Sequence, residues 1–162
     1  RERVTTQAAK LPRFIKQLAM NALTHRAPLN WRGAIDVRQV AGRAVIDLKL
    51  QGTAIFVDVA RVYALAQGVA ATSTRARLEA VGRALGVELQ ESEAWIGAFE
   101  FLQLMRLQVQ LDAGSREAVD APDGNANLVD VAALNDIDRR MLKESLRIAR
   151  RLQQRMELDY QR

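Results

Sequence analysis

Between Val45 and Leu65 the apolar period of this chain changes once, at Gly52, and that change restricts the fold more than any other feature. Before the glycine, Ile46, Leu48 and Leu50 alternate with Val45, Asp47 and Lys49. Such a segment is extended, with one apolar face and with Asp47 and Lys49 on the other. After it, Ile55, Phe56, Val59, Val62, Tyr63 and Ala66 recur at three and four, the core stripe of a helix, and Asp58 and Arg61 sit one turn apart on its flank. A strand and one helix cannot form a core by themselves, so the remaining elements must pack around this unit. The two charged pairs, one at the strand end and one on the helix, can then converge on a single polar spot.

The flanking segments supply the packing. A helix starts at Leu11, with Leu11, Phe14, Ile15, Leu18, Ala22 and Leu23 on one stripe, and ends near His25, ahead of Pro28. There His25 serves as a cation at a helix C-terminus. Residues Trp31 to Leu50 read as a β-hairpin turning at Ala41-Gly42-Arg43, with Trp31 anchoring it on the helices. Gly68 stops the central helix. Ser73 or Thr74 then caps a short helix carrying Leu78, Val81 and Leu85. Ser92 is the expected N-cap of the next helix, along which Trp95, Phe99, Leu102, Met105 and Val109 run towards Gly114. Residues 112–131 have no period and read as a long loop. The last helix spans Asn135 to Met156, with Leu142, Leu146, Ala149, Leu152 and Met156 as its core. The expected class is mainly α, a helical bundle with one small β-hairpin. It is one domain over residues 1–162, a piece of a longer multidomain protein, with 1–10 as the tail of an upstream helix.

Charge and composition exclude several function classes. There is no cysteine, hence no disulfide and no thiolate zinc site, which suits a reducing, cytoplasmic setting. No apolar run approaches the ~18 to 20 residues of a membrane span. The last helix carries Arg139, Arg140, Lys143, Arg147, Arg150, Arg151 and Arg155 against Asp136, Asp138 and Glu144, most of the net charge of +5. Interleaved acids and a total of eight aromatics (two Trp, two Tyr, four Phe) weigh against nucleic acid, and a solvated or domain-docking face is the favoured reading. There is no phosphate-cradling glycine loop, no HExxH and no serine elbow. Gly114-Ser115 with Asp136-Ile-Asp138 superficially matches the Gly-Ser and Asp-x-Asp pair of polymerase-beta-like nucleotidyltransferases. The spacing is too long and the aspartates open a helix, so capping is the better account.

Three blocks, IDLKLQGTAIFVDVARVYALAQGV, AFEFLQLMRLQVQL and LNDIDRRMLKESLRIARRLQQRM, resemble the signature blocks of the putative nucleotidyltransferase substrate-binding domain. That resemblance runs from about Leu11 to Met156. It implies a C-terminal domain of bacterial signal-transduction proteins that carry CBS, cyclic-nucleotide-binding-like and nucleotidyltransferase domains upstream. NALTHRAP, then IDLK, a glycine and VDVAR, is also similar to blocks of glutamine synthetase adenylyltransferases and related uridylyltransferases, in which a strand and helix sit beside the transfer site. Those enzymes have a second glycine and a further acidic residue where this chain has Ala54 or Ile55 and Val59.

The resemblance singles out Asp47, Lys49, Gly52, Asp58 and Arg61 as substrate-binding positions, with no catalytic and no metal-binding residue in this piece. Lys49 would contact a phosphate or an acidic substrate, Arg61 would be a second contact, and Asp58 would orient Arg61. Backbone N–H groups at the strand end and helix start would assist. The structural alternatives are a surface pair for Asp58 and Arg61 and two solvated hairpin residues for Asp47 and Lys49. The implied function is substrate binding and positioning for a nucleotidyltransferase, with Mg²⁺ and a nucleoside triphosphate belonging to the upstream catalytic domain. The partners implied are that domain, a protein acceptor and a second copy in a homodimer. The competing class is a helical interaction or dimerisation module that relays signals from regulatory domains.

Overall fold

The computed structural model describes residues 11–115 and 125–161. Residues 1–10, read above as a helix tail, and 116–124 of the expected loop lie outside the described residues. The chain is mainly α: α1 (Pro12–Ala22), α2 (Ala54–Ala66), α3 (Thr74–Ala84), α4 (Leu89–Ser115) and α5 (Asp136–Tyr160), with three short strands, β1 (Arg38–Val40), β2 (Arg43–Asp47) and β3 (Leu128–Asp130).

The centre is α2, which packs against α1, α3 and α5, while α4 packs against α3 and α5. Ile55, Phe56, Val59, Val62 and Tyr63 are buried as their spacing requires, and Ala60 and Ala64 are buried as well. Small residues there widen the apolar arc beyond one face, which lets neighbours approach from several sides. Phe56 meets Phe99 of α4 with ring centroids 6.1 Å apart, a tilted aromatic pair. Leu142, Leu146, Ala149, Leu152 and Met156 of α5 close the core, as their periodicity predicts.

The strands turn at Ala41-Gly42, whose φ values of +50° and +77° are those of a tight two-residue hairpin loop. Three expectations fail around it. The sheet has three antiparallel strands in the order β1-β2-β3, and the third comes from residues read as loop. With β2 central, Val45, Ile46, Asp47 and Leu48 are buried in succession instead of alternating. The period also changes earlier than Gly52. A π-helical turn spans Lys49–Thr53 and runs straight into α2, so Leu50 faces solvent.

Other boundaries move for local reasons. Leu11 is the N-cap of α1, and with Phe14 it is exposed, leaving Ile15, Ala19, Ala22 and Leu23 as the buried stripe. The helix ends at Ala22, short of His25. Ser73 caps α3, its Oγ accepting from Ala76 N at 3.1 Å. Ser92 caps nothing: α4 already begins at Leu89, and Ser92 Oγ donates to Leu89 O. Asn135 caps α5 by accepting from Asp138 N at 2.8 Å. That places Asp136 and Asp138 in the first turn, where they favour the helix dipole. Trp31, expected as a buried anchor, is 83% exposed.

Candidate functional site

Asp47 ends β2 and is buried, and every oxygen of its carboxylate is used. Oδ1 accepts from Lys49 N and Leu50 N at 2.9 Å each, capping the π-helical turn. Oδ2 accepts from Asn125 Nδ2 at 2.8 Å. The network continues outward. Asn125 Oδ1 accepts from Asn127 N at 3.0 Å, and Asn127 Oδ1 accepts from Arg106 Nε at 2.8 Å and Gln110 Nε2 at 3.1 Å. Three elements distant in sequence, β2, the start of β3 and α4, are therefore tied through one carboxylate. The two amides expected to greet an anion at this helix start are occupied by Asp47.

Gly52 lies within the turn, buried, and a Cβ built there would sit 3.7 Å from Leu102 Cδ1, an ordinary contact. It is a packing position between the turn and α4. Lys49 is exposed. Asp58 and Arg61 form an exposed i,i+3 pair with 3.6 Å between Nη1 and Oδ1. From Lys49 to Arg61 the backbone is helical throughout, so twelve residues separate them by about 18 Å along the axis. The structure thus brings Asp47, Lys49 and Gly52 together, and Asp58 with Arg61, as two separate places.

A sequence profile for the putative nucleotidyltransferase substrate binding domain matches residues 12–160, nearly the whole described fold. The chain belongs to this family. No curated protein and no solved structure matches it.

Two further features of this domain escaped the sequence reading. Gln153, 2% exposed on α5, donates from Nε2 to His25 O at 2.7 Å and accepts from Ala27 N at 3.0 Å. One buried amide thus clamps the chain leaving α1, and His25 takes part through its carbonyl. The Arg26–Glu157 ion pair lies beside it and holds the Glu157 carboxyl below the usual carboxylate range. A glutamine one residue beyond Leu152 in the apolar stripe was the available signal. The second feature is a groove of about 310 Å³ between the start of α4 and α5. Ala94, Trp95, Ile148 and Leu152 form its floor, and Glu88, Glu91, Arg151 and Arg155 its rim. Arg155 Nη1 pairs with Glu91 at 3.3 Å, while its Nε is buried without a hydrogen-bond partner, at a cost of about 1–3 kcal/mol.

At the far end of α2, Tyr63 OH donates to Asp159 Oδ2 at 2.6 Å and its ring packs on Tyr160 at 5.4 Å. Burial, then the Asp159 hydrogen bond, raises the Tyr63 phenol well above its ordinary value of 10.0. Burial also pushes Tyr160 up to about 12. This corner is a structural latch between α2 and α5. Among the described residues, no cluster of His, Asp and Glu could hold a metal ion, and no helix is long and apolar enough to cross a membrane.

Proposed function

We propose that this chain binds and positions the substrate of a nucleotidyltransferase and leaves the chemistry to a catalytic domain of the same protein. The observation that carries the reading is the family match across residues 12–160, which covers the core, the Asp47 network and both ends of the bundle. In this reading Mg²⁺ and the nucleoside triphosphate belong to the catalytic domain, since phosphoryl-type transfer needs carboxylates around the metal ions. The setting is a cytoplasmic bacterial signalling protein with CBS and cyclic-nucleotide-binding-like domains, and the blocks similar to glutamine synthetase adenylyltransferases support the same class of chemistry.

Within the domain, Asp47 and Gly52 act as positioning residues, one capping and one packing the turn that displays Lys49. Lys49 and the Asp58–Arg61 pair are two exposed contacts, too far apart for a single phosphate and suited to an extended acceptor or to the face of the catalytic domain. The test uses the intact protein with labelled ATP or UTP, Mg²⁺ and candidate acceptors. Transfer that falls on Lys49→Ala and Arg61→Ala supports the reading, and transfer indifferent to both removes these residues from the site.

A second reading rests on its own observation. On α4, Leu104, Leu107 and Leu111 follow at three and four and are 67%, 52% and 64% exposed. Such a stripe suits a helical interaction or dimerisation module. Sedimentation of the wild type against Leu107→Glu decides whether this stripe joins two copies.

A further inference from the structure

We infer that the tip of the turn Asn30–Ala34 and the adjoining flank of α5 bind single-stranded nucleic acid, with one base stacked on Trp31 and the phosphates running along Arg147, Lys143 and Arg140. This deepens the substrate-binding reading by making a strand end the acceptor, and it rests on that reading for the word acceptor alone.

The tip is built rigidly. Asn30 Oδ1 accepts from Arg32 N at 2.9 Å and Ala34 N at 3.0 Å, and Asn30 N donates to Ala34 O at 2.9 Å. Gly33, at φ +79°, allows the reversal between them. Leu29 and Ile35 bridge below. The tip is also fixed to α5. Arg150 Nη1 donates to Asn30 O at 3.1 Å, and a Cβ on Gly33 would lie 3.6 Å from Arg147 Nη2. Trp31 is therefore held out at 83% exposure by a backbone with little freedom left to lose on binding.

The surroundings of the indole select the ligand. Arg32 covers one side, its guanidinium 4.7 Å from the ring. The Arg150 guanidinium is hydrogen-bonded to this tip, and that of Arg147 lies beside Gly33. A protein-binding aromatic normally sits in a patch of other apolar side chains, whereas this one carries a guanidinium on one face and has two more against the backbone of its turn. An aromatic face beside a line of cations is instead the pairing that takes a base and its phosphates. Arg140 and Lys143 make no ion pair among the described residues, and Arg147 holds Glu144 only at 3.8 Å. Positions 140, 143 and 147 share one side of the helix, about 4.5 and 6 Å apart along its axis. The exposed tryptophan adds what the sequence reading of the basic face lacked, an aromatic platform.

The experiment is fluorescence anisotropy of labelled twelve-nucleotide thymidylate and adenylate strands with the whole chain at low salt. Binding is expected, with log K falling against log salt at a slope of about −2, roughly 0.7 for each of three phosphates. Trp31→Ala should weaken it about tenfold at an unchanged melting temperature, Trp31→Phe should recover part of the loss, and Arg140→Ala with Lys143→Ala should flatten the slope. Should Trp31→Ala not fold, quenching of the exposed Trp31 emission in the wild type reads the same contact, because Trp95 is buried. Absence of binding overturns the proposal. So does binding indifferent to Trp31→Ala and Trp31→Phe, and so does equal competition by a twelve-residue polyglutamate peptide, which would reassign the face to an acidic protein. Strand binding without transfer by the intact protein would defeat the transferase reading and leave this site standing. Transfer to a protein without strand binding would do the reverse.

Discussion

Asn125 donates a 2.8 Å hydrogen bond to Asp47 across 78 residues of sequence, and it meets the carboxylate oxygen that the π-helical turn leaves unused. Removing that carboxylate strands two backbone amides and one side-chain amide at once. Asp47→Ala should therefore destabilise the fold by about 3 kcal/mol or more. Asp47→Asn keeps an acceptor for the turn but sets an amide against Asn125, and should cost less than the alanine. Urea denaturation of the two variants checks the order. A loss below about half a kcal/mol for Asp47→Ala would return Asp47 to the class of solvated surface residues.

Two glycines separate close approach from idle space. At Gly82 of α3 a Cβ would lie 2.7 Å from Ser92 Cβ, a distance that real Cβ atoms do not adopt, whereas at Gly97 of α4 it would meet nothing within 4 Å. Gly82→Ala should push α3 from α4 and cost about 1–3 kcal/mol. Gly97→Ala should raise stability by about 0.5–1 kcal/mol, because alanine suits an exposed helix interior better. Thermal unfolding of both, with opposite signs of the shift, is the expected result.

Much of this was legible because period and punctuation agree with the fold in the long elements. The stripes of α2 and α5, the Ala41-Gly42 turn, the cap at Ser73 and the start of α5 at the Asp136–Asp138 turn follow from local rules that tertiary packing reinforces. What failed depended on partners far away in sequence. Alternation places Asp47 opposite Ile46, on a face open to a ligand or to solvent, whereas in the fold it pairs with Leu128 of the third strand and accepts from Asn125. Nothing local in Leu128–Asp130, three residues between turn formers, marks it as a strand until β2 offers an edge. Trp31 went the other way: an aromatic is normally core, but the Asn30 turn fixes it outward. Of the five residues singled out around one polar spot, Asp47, Lys49 and Gly52 lie together, while the length of the continuous helix separates Arg61 from them.

The Tyr63–Asp159–Tyr160 latch makes stability depend on alkaline pH. Both phenols have folded-state values raised above the ordinary 10.0, Tyr160 to about 12. A raised value means that the folded state holds the proton more tightly, so this stability is complete below about pH 10 and is lost as pH rises through the folded values. The near-ultraviolet absorbance of phenolate should stay low near pH 10 and appear only as the chain unfolds, since these are its two tyrosines. Tyr63→Phe should leave the curve to Tyr160 alone and weaken the alkaline decline. A titration of both groups near pH 10 in folded protein would show that neither is shielded.

Lys49 and Arg61 separate substrate binding from a purely structural role. Both are exposed, and the Arg61–Asp58 contact is open to solvent, so each alanine variant should change stability by under about 1 kcal/mol. If both contact substrate, each removes a charge-assisted interaction of about 1.5–3 kcal/mol, and transfer by the intact protein should fall roughly ten- to a hundredfold. Their separation of about 18 Å adds a condition that a single anion site would not meet. The contacts should be independent, so the double variant should lose about the product of the two single effects. A short acceptor able to reach only one of them should respond to one substitution and ignore the other. Melting temperature and transfer rate, measured together for the single and double variants, carry the decision. Activity that survives both substitutions at full stability would leave these two residues with no part in substrate binding.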